Sequence, residues 1–469
     1  MVWLLGGILV SCALVEAFEL IELQAASSNI PAIVPPPGQT QPFVSFHVPI
    51  CSEPPEVVAR TLRALDRLEY DSFEVLVIDN NTQDEQLWRP IEALCRELGP
   101  RFRFFHLENC PGFKAGALNF GLQRTAEAAV LIGVVDADYE TVPKFLAELV
   151  GYFSEPEITF VQTPQDYRDW SSKPFSRMCY WEYWQVFAIS MLVRSRHNAI
   201  LMHGTMSLIR KDAIARAGGW AEWCLTEDSE LGLRLLGSGS RSVYTTKTYG
   251  RGLVPFTFRD YKRQRRRWVI GGVQQIKRHL PIFLSKPSHM TAIQKFEYIR
   301  GWLLWFRDAV IVCSIPVLLL AAAGILAGVM NPHVLAPLSI GLFAVVLQIV
   351  IRHLIVYRVC LSVNWRDAFG AMVANCSLTW TVGCAYLVGS TTADQVFQRT
   401  PKRPHSEPSW ISSVRAEALV GAMMLALAVA VGIRYGAGGW VTIVAMLCYA
   451  WLLLSAPFMA WRAAIDASS

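Results

Sequence analysis

Three acidic clusters and one cationic run hold the residues of this chain that could do chemistry. Asp79 lies in VIDN (77–80), Asp136 and Asp138 in VVDAD (134–138), and Glu227 with Asp228 in TEDSE (226–230). Alternate residues of an extended segment share a face, so Asp-Ala-Asp presents two carboxylates together. Hard oxygen ligands so spaced suit Mg2+ or Mn2+ held jointly with phosphate oxygens. Plainer roles compete: aspartates at strand ends cap turns, and Thr226 followed by Glu227, Asp228 and Glu230 reads as a helix N-cap worth about 1 kcal/mol. The cationic run is YKRQRRRWVIGG (261–272), with Lys262, Arg263, Arg265, Arg266 and Arg267 in six positions. Such a run is ordinarily a solvated face or a patch for anionic lipid or nucleic acid. The net charge of +5 is modest and partly juxtamembrane, so nucleic acid is not expected as a partner.

The segments that must position these groups alternate in type. PFVSFHVPI (42–50), FEVLVIDN (73–80), FRFFHLEN (102–109), AVLIGVVDAD (129–138) and ITFVQTP (158–164) are near-continuous apolar runs, as expected of strands buried on both faces of a mostly parallel sheet. EVVARTLRALDRLEY, DEQLWRPIEALCRELG and GALNFGLQRTAEAA carry apolar residues at helical spacing. The expectation is a doubly wound α/β domain over residues 40–295, with interfacial helices near 255–295. In such a sheet ligands bind beyond the carboxyl ends of the strands, where Asp79, Asp136 and Asp138 all fall.

The remainder reads as membrane. The chain is 53% hydrophobic and only 17% charged. Uncharged runs at 309–330, 334–351 and 435–461 are long enough to cross a hydrocarbon core, 418–433 spans if Arg434 snorkels, and residues 1–24 form an N-terminal anchor. Two spans are thus expected in 300–358 and two in 416–465. A further uncharged run, 368–393, has Arg352, Arg358 and Arg366 before it and Arg399, Lys402, Arg403 and Arg415 after it. Positive charge on both flanks, with Asn375, Ser377, Thr379 and Thr381 inside, argues for an interfacial or re-entrant segment over 366–393 and a cytoplasmic loop over 394–415. Eleven scattered cysteines, with no CxxC pair, read as reduced thiols.

VIDN, VVDAD, TED and QRRRW (264–268) together resemble, in order and spacing, the D, DxD, TED and QxxRW series of processive family 2 glycosyltransferases, the cellulose, hyaluronan, chitin and β-glucan synthases. KAGALN (114–119), VQTPQDY (161–167) and FQRTPK (397–402) add to the likeness. FQRTPK is similar to a gating loop of pattern FxVTxK, although Arg399 stands where that pattern has Val.

The resemblance implies a GT-A-like domain joined to an α-helical transmembrane bundle, at the plasma membrane of a bacterium with its catalytic domain cytoplasmic. It implies a UDP-sugar donor, UDP-glucose first, a growing glucan or a lipid as acceptor, membrane lipids and accessory export proteins as partners, and Mg2+ or Mn2+ on Asp138 and Asp136. Donor-side residues would be Asp79, Lys114, Asp136, Asp138, Gln264, Arg267 and Lys402. Asp228 would be the general base, with Glu227 and Arg267 beside it, giving one displacement with inversion to a β-linked product. Trp268, Trp223, His203 and Gly204 would face the acceptor, with Trp220 as a further stacking surface. On this reading Gln264, Arg267 and Trp268 serve the site, and Lys262, Arg263, Arg265 and Arg266 keep the lipid or solvent face. Linkage, β-1,3 or β-1,4, stays open.

Overall fold

Buried strands need partners for every backbone amide, and the apolar runs find them in one sheet. The computed structural model describes residues 1–26, 41–285, 288–392, 401–402 and 409–468. Its strands are β1 (Val44–Ile50), β2 (Phe73–Asn80), β3 (Phe102–Leu107), β4 (Leu131–Val134), β5 (Glu140–Thr141), β6 (Ile158–Gln162), β7 (Asp166–Arg168), β8 (Ser207–Arg210), β9 (Arg241–Tyr244) and β10 (Gly250–Leu253). Seven form a sheet of order β3-β2-β1-β4-β8-β6-β9, and β5-β10-β7 form a second, smaller one. β3, β2, β1 and β4 are parallel, β8 runs antiparallel between β4 and β6, and β6 is parallel to β9. All residues of β2, β4 and β6 are buried, as strands covered on both faces require. The chain leaves β1 toward β2 and β3 on one side and reaches β4 on the other, so the crevice between the ends of β1 and β4 is the switch point where ligands bind.

The sheet departs from the expectation in two ways. β4 stops at Val134 and β6 at Gln162, so Asp136 and Asp138 lie beyond the ladder rather than within a strand. β8, inside LMHGTMSLIRKDAI, carries no strand signal, because four residues running straight into the helix Lys211–Arg216 are too few to show alternation.

Among the described residues, five segments are long and apolar enough to cross a membrane: Val2–Leu20, Ala292–Leu326, Pro332–Cys360, Trp365–Thr391 and Arg415–Ala467, the last divided into two helices at Gly436–Gly439. Trp365–Thr391 is itself two helices, Trp365–Cys376 and Thr379–Thr391. The first packs on the helix Pro174–Gln185, and the second lies against Phe258–Ser285 and Ala292–Leu326. Its small residues serve that packing: a Cβ on Gly383 would lie 2.5 Å from the Asp308 carbonyl oxygen.

A buried polar seam fastens the N-terminal helix Val2–Ala26 to the rest. Glu16 pairs with Arg307 at 2.8 Å, Arg307 with Asp308 at 3.0 Å, and Glu19 with Arg352 at 3.0 Å and Arg300 at 3.3 Å. Charges so far from water persist only when paired, which fixes the helix in one register.

The cationic run is also largely a set of pairs, against the lipid or solvent reading. Arg265 is partly buried and grips the buried Glu182 with one guanidinium nitrogen, 2.6 and 2.8 Å from its two oxygens, while Tyr261 donates to the same carboxylate at 2.7 Å. Lys262 pairs with Glu417 on the helix Arg415–Tyr435, and Arg263 lies 3.5 Å from Asp260. Glu182→Ala leaves the partly buried Arg265 without its carboxylate, so a clear fall in melting temperature is expected. Arg89→Ala, which breaks an exposed pair with Glu85, should leave the melting temperature near that of the wild type. Thermal melts of the two purified variants check the contrast.

Candidate active site

The stretch after β4, the turn before β8 and the start of the helix Glu227–Gly237 converge on one ammonium group. Lys114, in the first turn of the helix Phe113–Arg124, places Nζ 2.6 Å from Asp136 Oδ1, 2.8 Å from the Gly204 carbonyl oxygen and 3.8 Å from Glu227 Oε1. Burial pulls the Lys114 pKa down, but Asp136, Glu227 and Asp228 more than offset it, so the group stays charged. Gly204 is as small as its place demands. A Cβ there would lie 2.7 Å from Lys114 Nζ and 2.8 Å from Asp228 Oδ2.

Glu227 and Asp228 occupy the first two positions of their helix. The helix end and the acid pair thus coexist: Asp228 accepts from the Ser229 N–H at 2.7 Å, while Thr226 makes no side-chain cap. Burial, then the Asp228 charge, pushes the Glu227 carboxyl up to about 7. Burial also raises Asp228, against Lys114, the Ser229 amide and Arg267. The two titrate as a pair.

Asp138 is fully buried. Its Oδ2 accepts from the Leu253 N–H at 2.8 Å, and its Oδ1 lies 3.0 Å from Lys402 Nζ without accepting a hydrogen bond. The rest of FQRTPK, Phe397 to Thr400, lies outside the described residues. No group of three or more His, Cys, Asp or Glu converges to hold a metal among the described residues. One under-satisfied aspartate oxygen beside a second carboxylate nevertheless fits an ion whose other ligands are water and phosphate.

Asp79 is the penultimate residue of β2, and His106, its cross-strand neighbour on β3, holds Oδ2 at 2.6 Å through Nδ1. Trp88 stacks on that imidazole with centroids 4.3 Å apart. Burial raises the Asp79 carboxyl despite hydrogen bonds from Thr82 and His106. His106 was not expected from the sequence, although its place in FRFFHL beside VIDN in a parallel pair would have found it. Thr205, which accepts from the Asp136 N–H, and Arg168, which donates to the Asp138 carbonyl, were also missed.

The residues expected on the acceptor side divide. Trp223 is 42% exposed, with Arg278 over its ring. Trp268 is partly buried, edge-on to Tyr183 and under Arg265, while Tyr183 also donates to Gln264, so the Gln and Trp of QRRRW share one neighbour. Arg267 lies close enough to act electrostatically on Glu227 and Asp228. His203 stands edge-on to Phe187, its backbone held by Gln162, and burial drives its pKa down to about 3, leaving it neutral. Trp220 is buried in the core and offers no stacking face.

Residues 131–354 match the sequence profile described as "Glycosyl transferase family group 2". The chain is 26% identical over 245 residues to probable glucomannan 4-beta-mannosyltransferase 2 of Oryza sativa subsp. japonica, covering 50% of this chain and 42% of that one. It is 28% identical over 238 residues to glucomannan 4-beta-mannosyltransferase 2 of Arabidopsis thaliana, covering 49% and 44%. The chain thus spans less than half the length of either relative. Among solved structures, the mannosyltransferase PcManGT from Pyrobaculum calidifontis, in complex with GDP-Man and Mn2+, superposes with TM-score 0.57 at 18% identity, over 82% of this chain and 98% of that one. The domain is a GT-A-like sheet domain, and helices able to cross a membrane accompany it.

An acid with a raised pKa holds its proton until the pH climbs through that value. The Glu227–Asp228 pair should therefore lose a proton as pH rises through about 7, and the folded state loses stability over that climb from the ordinary carboxylate range. Infrared spectra taken across the range should show a protonated carboxyl band vanishing near neutrality, absent in Glu227→Gln. Titration of every carboxyl in the ordinary range would contradict the assignment.

Proposed function

We propose that this protein is a membrane glycosyltransferase that moves a hexosyl group from a nucleoside diphosphate sugar to a growing β-linked polysaccharide, with inversion at the anomeric carbon. The observation that carries the reading is the Lys114 ammonium bound between Asp136 and Gly204, beside the paired carboxyls of Glu227 and Asp228. A diphosphate leaving group needs positive charge and an acceptor hydroxyl needs a base, and this crevice offers both within a few ångströms.

In the proposed chemistry Asp79 and Lys114 bind the nucleoside and diphosphate side of the donor. Asp138, with Asp136 beside it, holds Mg2+ or Mn2+, which when bound supplies charge against the departing diphosphate. Asp228 takes the acceptor proton, and its raised pKa makes it a better base than an exposed carboxylate. Glu227 shares the proton of the pair. Gln264, Arg267 and Lys402 complete the donor side, with Arg267 countering charge on the leaving group. Trp268, Trp223, His203 and Gly204 line the acceptor side, the neutral His203 acting as a hydrogen-bonding wall rather than a second base. The catalytic domain faces the cytoplasm, and the bundle beside it passes the product across the membrane.

Motif resemblance favours UDP-glucose and a β-glucan, while the relatives and the structural neighbour favour a mannosyl donor such as GDP-mannose. Membranes given labelled UDP-glucose or GDP-mannose with Mn2+ should form polymer from one of them, and consumption of neither overturns the reading. Asp228→Asn should lose 10²- to 10⁴-fold in kcat with donor binding kept. Arg267→Ala should abolish transfer without lowering the melting temperature. Arg265→Ala should lower the melting temperature, because it frees Glu182.

A further inference from the structure

Both carboxylates of Asp-Ala-Asp already face an ammonium group. Lys114 holds Asp136 at 2.6 Å, and Lys402, 264 positions after Asp138 in the chain, stands 3.0 Å from Asp138 Oδ1. The two pairs differ in what surrounds them. Lys114 also binds the Gly204 carbonyl and lies near Glu227, so its position is fixed by several partners. Lys402 makes one ion pair among the contacts described, and the carboxylate it meets is fully buried. Asp138 Oδ2 is satisfied by the Leu253 amide, whereas Oδ1 accepts no hydrogen bond. A buried carboxylate oxygen in that condition is costly without a counter-charge, and Lys402 supplies it.

That oxygen is also the one left for a divalent cation. An ammonium at 3.0 Å and a divalent ion on the same oxygen would lie within a few ångströms of each other, where like charges repel strongly in a partly buried site. The two occupants therefore exclude one another. We infer that Lys402 is the resident counter-ion of Asp138 before donor binds, that a divalent cation takes this oxygen only by displacing it, and that the freed ammonium then meets the donor's diphosphate. The inference rests on the reading of Asp138 as the residue that holds the metal.

Displacement couples the two ligands. A metal ion entering alone must break the Lys402–Asp138 pair and leave the ammonium without a partner. With a nucleoside diphosphate present the ammonium gains phosphate oxygens in exchange, so metal and nucleotide favour each other's binding, and by linkage the effect is mutual. Lys114 keeps its own partners throughout, so its position does not change in the exchange.

The test is a Mn2+ titration of the full chain in detergent, read by electron paramagnetic resonance of the free ion, alone and with GDP or UDP. Lys402→Met should bind Mn2+ alone at least about fivefold more tightly than the wild type, and the enhancement by nucleotide should shrink by a similar factor. Lys402→Arg, which keeps the charge, should stay near the wild type. A melting curve of each variant checks that the fold is kept, and Lys402→Gln replaces Lys402→Met if the latter does not fold. Unchanged or weaker Mn2+ binding in the neutral variants, with Asp138→Asn abolishing it, overturns the displacement inference alone. Wild-type Mn2+ binding retained in Asp138→Asn overturns the metal reading beneath it.

Discussion

One partly buried ammonium organises the site. Lys114 is held within hydrogen-bonding reach of Asp136 and Gly204 and near Glu227, three segments that meet only because β8 is inserted antiparallel next to β4. Carboxylates gathered this closely would repel one another and take up protons without a cation among them. The cation in turn stays charged in a buried place only because they surround it. The small residue at 204 follows from that closeness, while the raised pKa values of Glu227 and Asp228 come from burial, which Lys114 offsets only in part. A side chain at 204 would push apart the two groups whose closeness sets the chemistry.

The second constraint is how a soluble-type sheet domain is bound to apolar helices. Burying charge is the device used on both sides of the joint. Glu16, Glu19, Arg300, Arg307 and Arg352 pair at the N-terminal helix, and Lys262 pairs with Glu417 at the helix Arg415–Tyr435. The helix Phe258–Ser285 carries both kinds of residue. Arg265 fastens it to Glu182, while Gln264 and Trp268 share Tyr183. Structural pairing and the groups proposed to face ligand alternate along that one helix.

This is why the sequence was only partly legible there. Charge density in residues 261–272 suggested a lipid or solvent face, yet the partner of Arg265 lies 83 positions upstream and that of Lys262 lies 155 downstream. No local period records such pairings. The parallel strands, by contrast, were plain from their apolar runs, since burial on both faces leaves a mark at each residue. The acidic residues at the carboxyl ends of β2 and β4 followed from the sheet rule. Strand β8 and the Lys402–Asp138 pair were hidden for one reason. Each depends on which segments become neighbours in space, and their own residues look like turn or helix ends.

The most direct test of the account is to remove the ammonium and leave the carboxylates. Lys114→Met, purified in detergent, should keep a cooperative melt, lose nucleotide-sugar binding by at least about tenfold as measured by calorimetry, and show Glu227 and Asp228 holding their proton well above neutral pH in infrared spectra. A variant that binds UDP-glucose or GDP-mannose as the wild type does, with its carboxyl titration unchanged, would contradict the claim that Lys114 organises the site.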